Sequence, residues 1–278
     1  MRIKPHFATI ATHAALLAFI AFLIFPLLWM LATSFKPTPE IYSGRTNFWP
    51  STFSFEHYRS VSHDQILWRS MANSLIAGLC SALIAVLIAT PAAYALTRFK
   101  SAINKMVLGW MVASQIFPAI LMMIPLYMVL RRMQLTDSLT GLTLVYVVWA
   151  LPFVMWMLHG YFKSIPADLE EAAALDGASR PQIIFHVLMP LLLPSLAAAV
   201  LFAFISAWNE FFFALVLMKS PSAITLPVEL ARFTGMEGQA RTGPLAAASF
   251  LATIPSVILF GFMRKWFASG LLAGAVKN

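Results

Sequence analysis

The sequence predicts an all-α, polytopic membrane protein with six transmembrane helices. Three observations carry that prediction. Apolar residues make up 60% of the 278-residue chain and charged residues only 11%, against about 25% charged in an ordinary soluble domain. The apolar residues are gathered into long blocks, the pattern of a chain whose solvent is bilayer. Within lipid the backbone must satisfy its own hydrogen bonds, so blocks of this length are helices.

The blocks run over Ala8–Thr33, Ser70–Thr97, Met106–Leu130, Leu139–Phe162, Leu188–Met218 and Pro244–Met263. Each reaches the ~20 residues that a helix needs to cross ~30 Å of hydrocarbon. Only the fifth contains an Asp, Glu, Lys or Arg. The first follows a basic start, Met1 to Lys4, as a signal peptide would. It is too long for one, and Ser34-Phe35-Lys36-Pro37 offers no cleavage site, so it reads as a retained span. The lone Cys80 falls inside the second block, where a small packing residue is the simplest reading.

The net charge is +8. The basic residues sit at span ends, which suits membrane lipid with anionic headgroups and gives no reason to invoke nucleic acid. Six spans place both termini on one side, together with Arg2, Lys4, Arg98, Lys100, Lys105, Lys163, Arg180, Arg264, Lys265 and Lys277. The loops 34–69 and 219–243 lie on the other side and are long, so their charge counts for less, and a cytoplasmic location of the termini is favoured. The first of these loops carries Pro37, Pro39, Trp49, Pro50, Phe53, Phe55 and Tyr58. It is too aromatic for a solvated tether and reads as an ordered extracytoplasmic segment. Residues 1–278 read as one membrane domain.

The loop 163–189, between spans four and five, holds four acids: Asp168, Glu170, Glu171 and Asp176. Pro166 suits a first helical turn, the acids favour the positive end of a helix dipole, and Ala172, Ala173, Ala174 and Leu175 are strong helix formers. Gly177 supplies a stop. A short helix of about eleven residues is expected, some 16 Å long. Pro181 can start a second helix running through Ile183, Ile184 and Val187 into the membrane. A helix lying on lipid ordinarily presents Lys and Arg. An acidic one is better suited to docking a protein.

Glu171-Ala172-Ala173-Ala174-Leu175-Asp176-Gly177-Ala178, followed by Pro190 and Pro194, resembles the EAA loop of ABC importer permeases. Ser206-Ala207-Trp208-Asn209-Glu210-Phe211 and the C-terminal run from Gly270 to Lys277 resemble the carbohydrate branch of that family. So does Trp49-Pro50-Ser51-Thr52 before Tyr58. The likeness covers nearly the whole chain and is greatest to the six-span second permease of maltose-type sugar importers. One departure is Ile184, where the family often has Phe; the apolar character is kept.

The resemblance implies a cytoplasmic coupling helix between spans four and five, seated on an ATPase subunit. Glu171 would anchor it, Ala172 and Ala173 would allow close approach, Gly177 would make the bend and Asp176 would cap or pair there. It also implies four kinds of partner: a second permease subunit, an ATPase subunit dimer, an extracytoplasmic substrate-binding protein and membrane lipid. The location would be the bacterial inner membrane. ATP and Mg would be bound by the ATPase subunits. This chain has no Gly-x-x-x-x-Gly-Lys-Ser/Thr loop, and no cofactor is expected in it.

Glu210 is the one ionisable Asp, Glu, Lys or Arg inside a span, which marks it for function by default. Twenty residues from Pro190, about 30 Å of helix, place it in the outer part of span five. Two roles are open to it: lining the pathway, or pairing with a neighbouring helix or the second permease. Trp208 and Asn209 are an aromatic beside an amide, as sugars are often held, but Trp also anchors interfaces. Asn73 and Gln115 are further pathway candidates, each also able to glue helices together. His13 and His159 are too far apart in sequence to suggest a metal site. Pro118, Pro125 and Pro152 are expected to kink their helices.

The expected function is transport of a sugar or sugar-like solute by a non-catalytic permease. A polyol, sugar phosphate or acidic sugar is the nearer alternative. A membrane-embedded enzyme is the distant one: it would need a nucleophile, a base or a metal cluster inside the spans, and they hold no His-Glu-x-x-His, acid pair or Gly-x-Ser-x-Gly.

Overall fold

A computed structural model describes residues 5–44, 47–99, 101–235 and 241–275. Arg2, Lys4, Lys100 and Lys277, counted above for orientation, lie outside the described residues, as does the end of the C-terminal run.

All regular elements among the described residues are helical. In chain order they are α1 (Pro5–Ser34), α2 (Thr38–Ile41), α3 (Glu56–Ser62), α4 (Gln65–Arg98), α5 (Ala102–Ile116), α6 (Ala119–Arg132) and α7 (Leu139–Ser164). Then come α8 (Asp168–Leu175), α9 (Arg180–Gln182), a π-helix (Ile183–Leu188), α10 (Met189–Trp208), α11 (Phe212–Leu217), α12 (Leu226–Arg232) and α13 (Thr242–Ala275). Five stretches are long and apolar enough to cross a membrane: Thr9–Ser34, Gln65–Arg98, Leu139–Ser164, Arg180–Trp208 and Thr242–Trp266. The pair α5 and α6, bent by 102°, makes a sixth if counted as one span.

The third apolar block is therefore a corner rather than one kinked helix. Pro118 has no N–H and its ring pushes the preceding residue out of helical conformation. Phe117 (φ −72°, ψ 126°) and Pro118 (φ −62°, ψ 123°) are both extended. Pro125 and Pro152, in contrast, lie inside the continuous helices α6 and α7. The fifth block is also interrupted. α10 ends at Trp208, three residues intervene, and α11 completes it.

Two compact units can be distinguished. The first comprises the described residues of 1–68 and 229–254. Its loop after α1 is ordered by aromatic packing, with Phe35 5.3 Å from Phe55 and 5.1 Å from Tyr58 between ring centroids. Glu56 Oε1 accepts hydrogen bonds from the N–H and the hydroxyl of Thr38, each at 2.6 Å. These bonds hold its carboxyl below the ordinary range. His57 is buried, and its Nε2 lies 2.9 Å from the Lys36 carbonyl oxygen. Gly243 is where that ring fits, since a Cβ there would collide with it.

The second unit comprises the described residues of 69–228 and 255–278. Its core is Leu142, Val145 and Tyr146 of α7 packed with Met123 and Leu130 of α6 and Phe213, Ala214 and Leu217 of α11. A smaller cluster joins Ala197 and Leu201 of α10 to Met263 of α13. At the turn before α7, Asp137 accepts from the N–H groups of Lys219 and Ser220 at 2.8 and 3.0 Å and from the Ser220 hydroxyl. Partial burial raises the Asp137 carboxyl, but these bonds outweigh it and the net shift is downward.

Candidate functional site

The loop between spans four and five is built from three local rules. The acids Asp168, Glu170 and Glu171 occupy the first turn of α8, where the N-terminal dipole favours them. The helix begins later than Pro166 and has 8 residues, shorter than expected, because Ala167 is its N-cap and Asp176 its C-cap. It ends in a Schellman motif. The Ala178 N–H donates to the Ala173 carbonyl at 3.0 Å and the Gly177 N–H to the Ala174 carbonyl at 3.1 Å. Gly177 sits at φ +85°, a conformation in which any side chain is strained. Next, the Gln182 amide oxygen accepts from the N–H and hydroxyl of Ser179, both at 2.8 Å, restarting the chain as α9.

The π-helix that follows is not visible in the sequence. Its last bond runs from the Met189 N–H to the Ile184 carbonyl, five residues back. Pro190, lacking an N–H, cannot donate to His186, so the α ladder is already broken there.

The loop's outward surface and its inward anchor are different residues. Glu171, Ala172, Asp176 and Gly177 are exposed and Ala173 is partly covered. Leu175 is 89% exposed, a large apolar side chain with no cover at the end of a helix whose first turn is acidic. Glu170 faces the other way. It pairs with Arg98 of α4, Nε to Oε1 at 2.5 Å, and accepts from the Tyr94 hydroxyl at 2.9 Å. Arg98 also donates to the Ile165 carbonyl at 3.0 Å. Both charged side chains are only 15% exposed. Sequence reasoning singled out neither Arg98 nor Tyr94 for this role. The pairs are 72 and 76 positions apart, and a single sequence carries no signal for such a contact.

The five membrane candidates do not converge on one site. Asn73 is buried, and its amide donates to the carbonyls of Ser222 and Ile224 at 3.0 and 2.9 Å. Beside it the Ser74 hydroxyl accepts from the Leu226 N–H at 2.8 Å. Together they staple the start of span two to the loop after α11. Trp208 is buried and stacked on Phe204, 5.6 Å between centroids. Asn209 is exposed, but its amide is bonded to the Ile205 carbonyl of its own helix at 2.9 Å.

Glu210 lies in the interruption between α10 and α11 and supplies acceptors there. Oε1 accepts from the Phe213 N–H at 2.8 Å; Oε2 accepts from the Ala214 N–H and the Tyr146 hydroxyl, each at 3.1 Å. It caps α11 and ties it to α7. Gln115 is the exception among the five. It is exposed beside the Phe117-Pro118 corner, with no hydrogen-bond partner among the described residues. It lines a cavity of about 430 Å³ together with Trp110 and Trp149.

Comparison with known proteins shows what the chain is similar to. The diacetylchitobiose uptake system permease protein DasC of Streptomyces coelicolor is 38% identical over 257 residues, covering 92% of each chain. The trehalose transport system permease protein SugB of Mycobacterium tuberculosis is 35% identical, covering 93% of this chain and 94% of its own. A solved bacterial ABC transporter involved in import of the acidic polysaccharide alginate contains a chain that superposes with a TM-score of 0.81. The identity there is 25%, with 96% of this chain and 99% of that one covered. Residues 81–272 match the family described as binding-protein-dependent transport system inner membrane component. The chain therefore belongs to that family, the membrane-embedded permease subunits of ABC transporters.

Proposed function

We propose that this chain is one of two permease subunits forming the alternating-access pathway of an ATP-driven importer for a sugar or sugar-like solute. The observation that carries the coupling part of this reading is α8. It is acidic, exposed and topped by the uncovered Leu175, yet keyed to span two through Glu170 and Arg98. Such a helix suits docking into a cleft on an ATPase subunit, with Glu171 and Leu175 outward and Ala172 and Ala173 permitting close approach. Its Schellman turn at Gly177 and the Glu170 pair fix its angle, so displacement by the ATPase passes into the membrane without the loop yielding. On this reading loop 163–189 and both termini are cytoplasmic, in agreement with the charge bias. Residues 1–278 act as one transport domain with no covalent chemistry. ATP and Mg are handled by an ATPase dimer, and the solute is delivered by an extracytoplasmic binding protein.

The sugar class is supported by relatives named for diacetylchitobiose and trehalose. The alginate importer keeps an acidic sugar as the second reading. Among the described residues no Lys or Arg lies deep in a span, so on that reading an anionic group is met by the second permease.

The test is reconstitution. The chain, co-expressed with the permease, ATPase and binding protein encoded with it, is expected to purify as a complex and to drive ATP-dependent uptake of at least one sugar from a panel of disaccharides, polyols and uronate oligosaccharides. Isolation without an ATPase would overturn the permease-complex reading. An assembled complex that takes up only non-carbohydrate solutes would overturn the sugar class.

A further inference from the structure

The corner in the third span leaves polar groups at a depth where lipid offers them nothing. From Ala102 to Gln115 is thirteen residues of α5, about 20 Å, counted from the cytoplasmic end. From Leu139 to Trp149 is ten residues of α7, about 15 Å, counted from the opposite end. The two counts meet near the middle of a hydrocarbon layer ~30 Å thick. There Pro118 has no N–H, no side chain caps the start of α6, and the Gln115 amide is unpartnered among the described residues. Irregular backbone at membrane depth is tolerated only where protein buries it or a water-filled cavity meets it. In transporters such interrupted helices mark the solute site.

A cavity of about 430 Å³ lies beside the corner. Trp110, Ser114, Gln115, Phe117, Trp149 and Pro152 form most of its wall. Trp110 is 64% exposed and Trp149 37% exposed. Trp149 packs edge-on against Phe213 at 5.4 Å. Tryptophans that anchor a protein in lipid concentrate at the two interfaces, whereas Trp149 lies ten residues into α7. A sugar ring presents C–H groups on its faces and hydroxyls around its rim. Two indole surfaces with an amide that both donates and accepts match it on each count.

We infer that Trp110, Gln115 and Trp149 form a sugar-contacting subsite on this chain at mid-membrane, the indoles meeting a sugar face and Gln115 bonding a ring hydroxyl. The inference rests on the sugar-permease reading above and adds that this subunit itself touches the solute.

Because Cys80 is the single cysteine, a Cys80→Ala background makes the test direct. Gln115→Cys and Ala113→Cys, each in the reconstituted complex, are exposed to a charged, membrane-impermeant methanethiosulfonate with and without ATP. The solute is whichever sugar of the panel the unaltered complex imports, supplied with its binding protein. Both thiols are expected to react in at least one nucleotide state, and the sugar is expected to slow the reaction. In parallel, Trp149→Ala is expected to lower sugar moved per ATP hydrolysed by about tenfold, with Trp149→Tyr recovering most of it. Thiols inert in both states would mean that this face meets lipid or the second permease, and would overturn the subsite. Thiols that react equally with and without sugar would overturn it too, while leaving the permease reading intact. A complex that imports no sugar at all would remove that reading and the subsite with it.

Discussion

Two of the long apolar blocks are interrupted, and the breaks are opposites. Between α10 and α11 the exposed ends of the helices are closed by Glu210, whose carboxylate takes the Phe213 and Ala214 N–H groups and the Tyr146 hydroxyl. Between α5 and α6 no side chain among the described residues caps the break: the corner is made by Phe117-Pro118, and Gln115 has no partner among them. A charge inside a span looks like the functional group and an amide looks like filler. The geometry supports the reverse assignment. The charge is spent holding a joint together, and the amide is the group left over for something the chain does not itself contain.

The contrast can be broken most forcefully at Glu210. Glu210→Ala leaves three donors in apolar surroundings without an acceptor, and the expected loss is about 3–5 kcal/mol of stability. Thermal unfolding of the detergent-purified complex measures it. Glu210→Gln retains a carbonyl acceptor and is expected to cost about 1–2 kcal/mol. A fully stable Glu210→Ala complex would mean that the joint does not depend on this carboxylate. Next in size is Asn73→Leu. It releases the Ser222 and Ile224 carbonyls, for an expected cost of about 1–3 kcal/mol in the same measurement, with import per folded complex retained.

The loop between α7 and α10 extends the comparison. Gly177→Ala forces a side chain into φ +85° and is expected to cost about 1 kcal/mol locally. Gly177→Pro cannot adopt that conformation and should abolish coupled uptake, as should Glu171→Lys, while the subunit remains in the membrane. Normal uptake by both would sink the docking role of α8. The smallest effect belongs to pH. The Asp137 carboxyl lies below its ordinary value in the fold, so its contribution is present above the unfolded carboxylate range and fades as pH falls through the lowered value. Asp137→Asn should flatten the acid limb of the unfolding profile; an unchanged limb would show that other carboxylates govern it.

What the sequence disclosed follows from what is local. Span positions are legible because twenty consecutive apolar residues have few alternative readings. The Gly177 turn is legible because the need for left-handed backbone is written in one residue. Pro118, Pro125 and Pro152 look alike in sequence, yet only the first becomes a corner. Neighbouring helices decide whether a proline bends or ends a helix, and their contacts are long-range. The same holds for Glu170: its acidity is visible, but Arg98 lies 72 positions away. Glu210 could be placed by depth alone. Its three donors lie on α7 and α11, and Gln115's lack of a partner among the described residues is likewise a property of the packed chain.

The most direct test sets the two breaks side by side in one assay. The reconstituted complex is prepared with Gln115→Ala and, separately, with Glu210→Gln, and both unfolding temperature and ATP-driven sugar uptake per folded complex are measured. The account predicts that Gln115→Ala leaves the unfolding temperature unchanged and lowers uptake, whereas Glu210→Gln lowers the unfolding temperature and leaves uptake per folded complex unchanged. The opposite pattern, with Glu210→Gln impairing transport at full stability and Gln115→Ala destabilising without impairing it, would contradict the account.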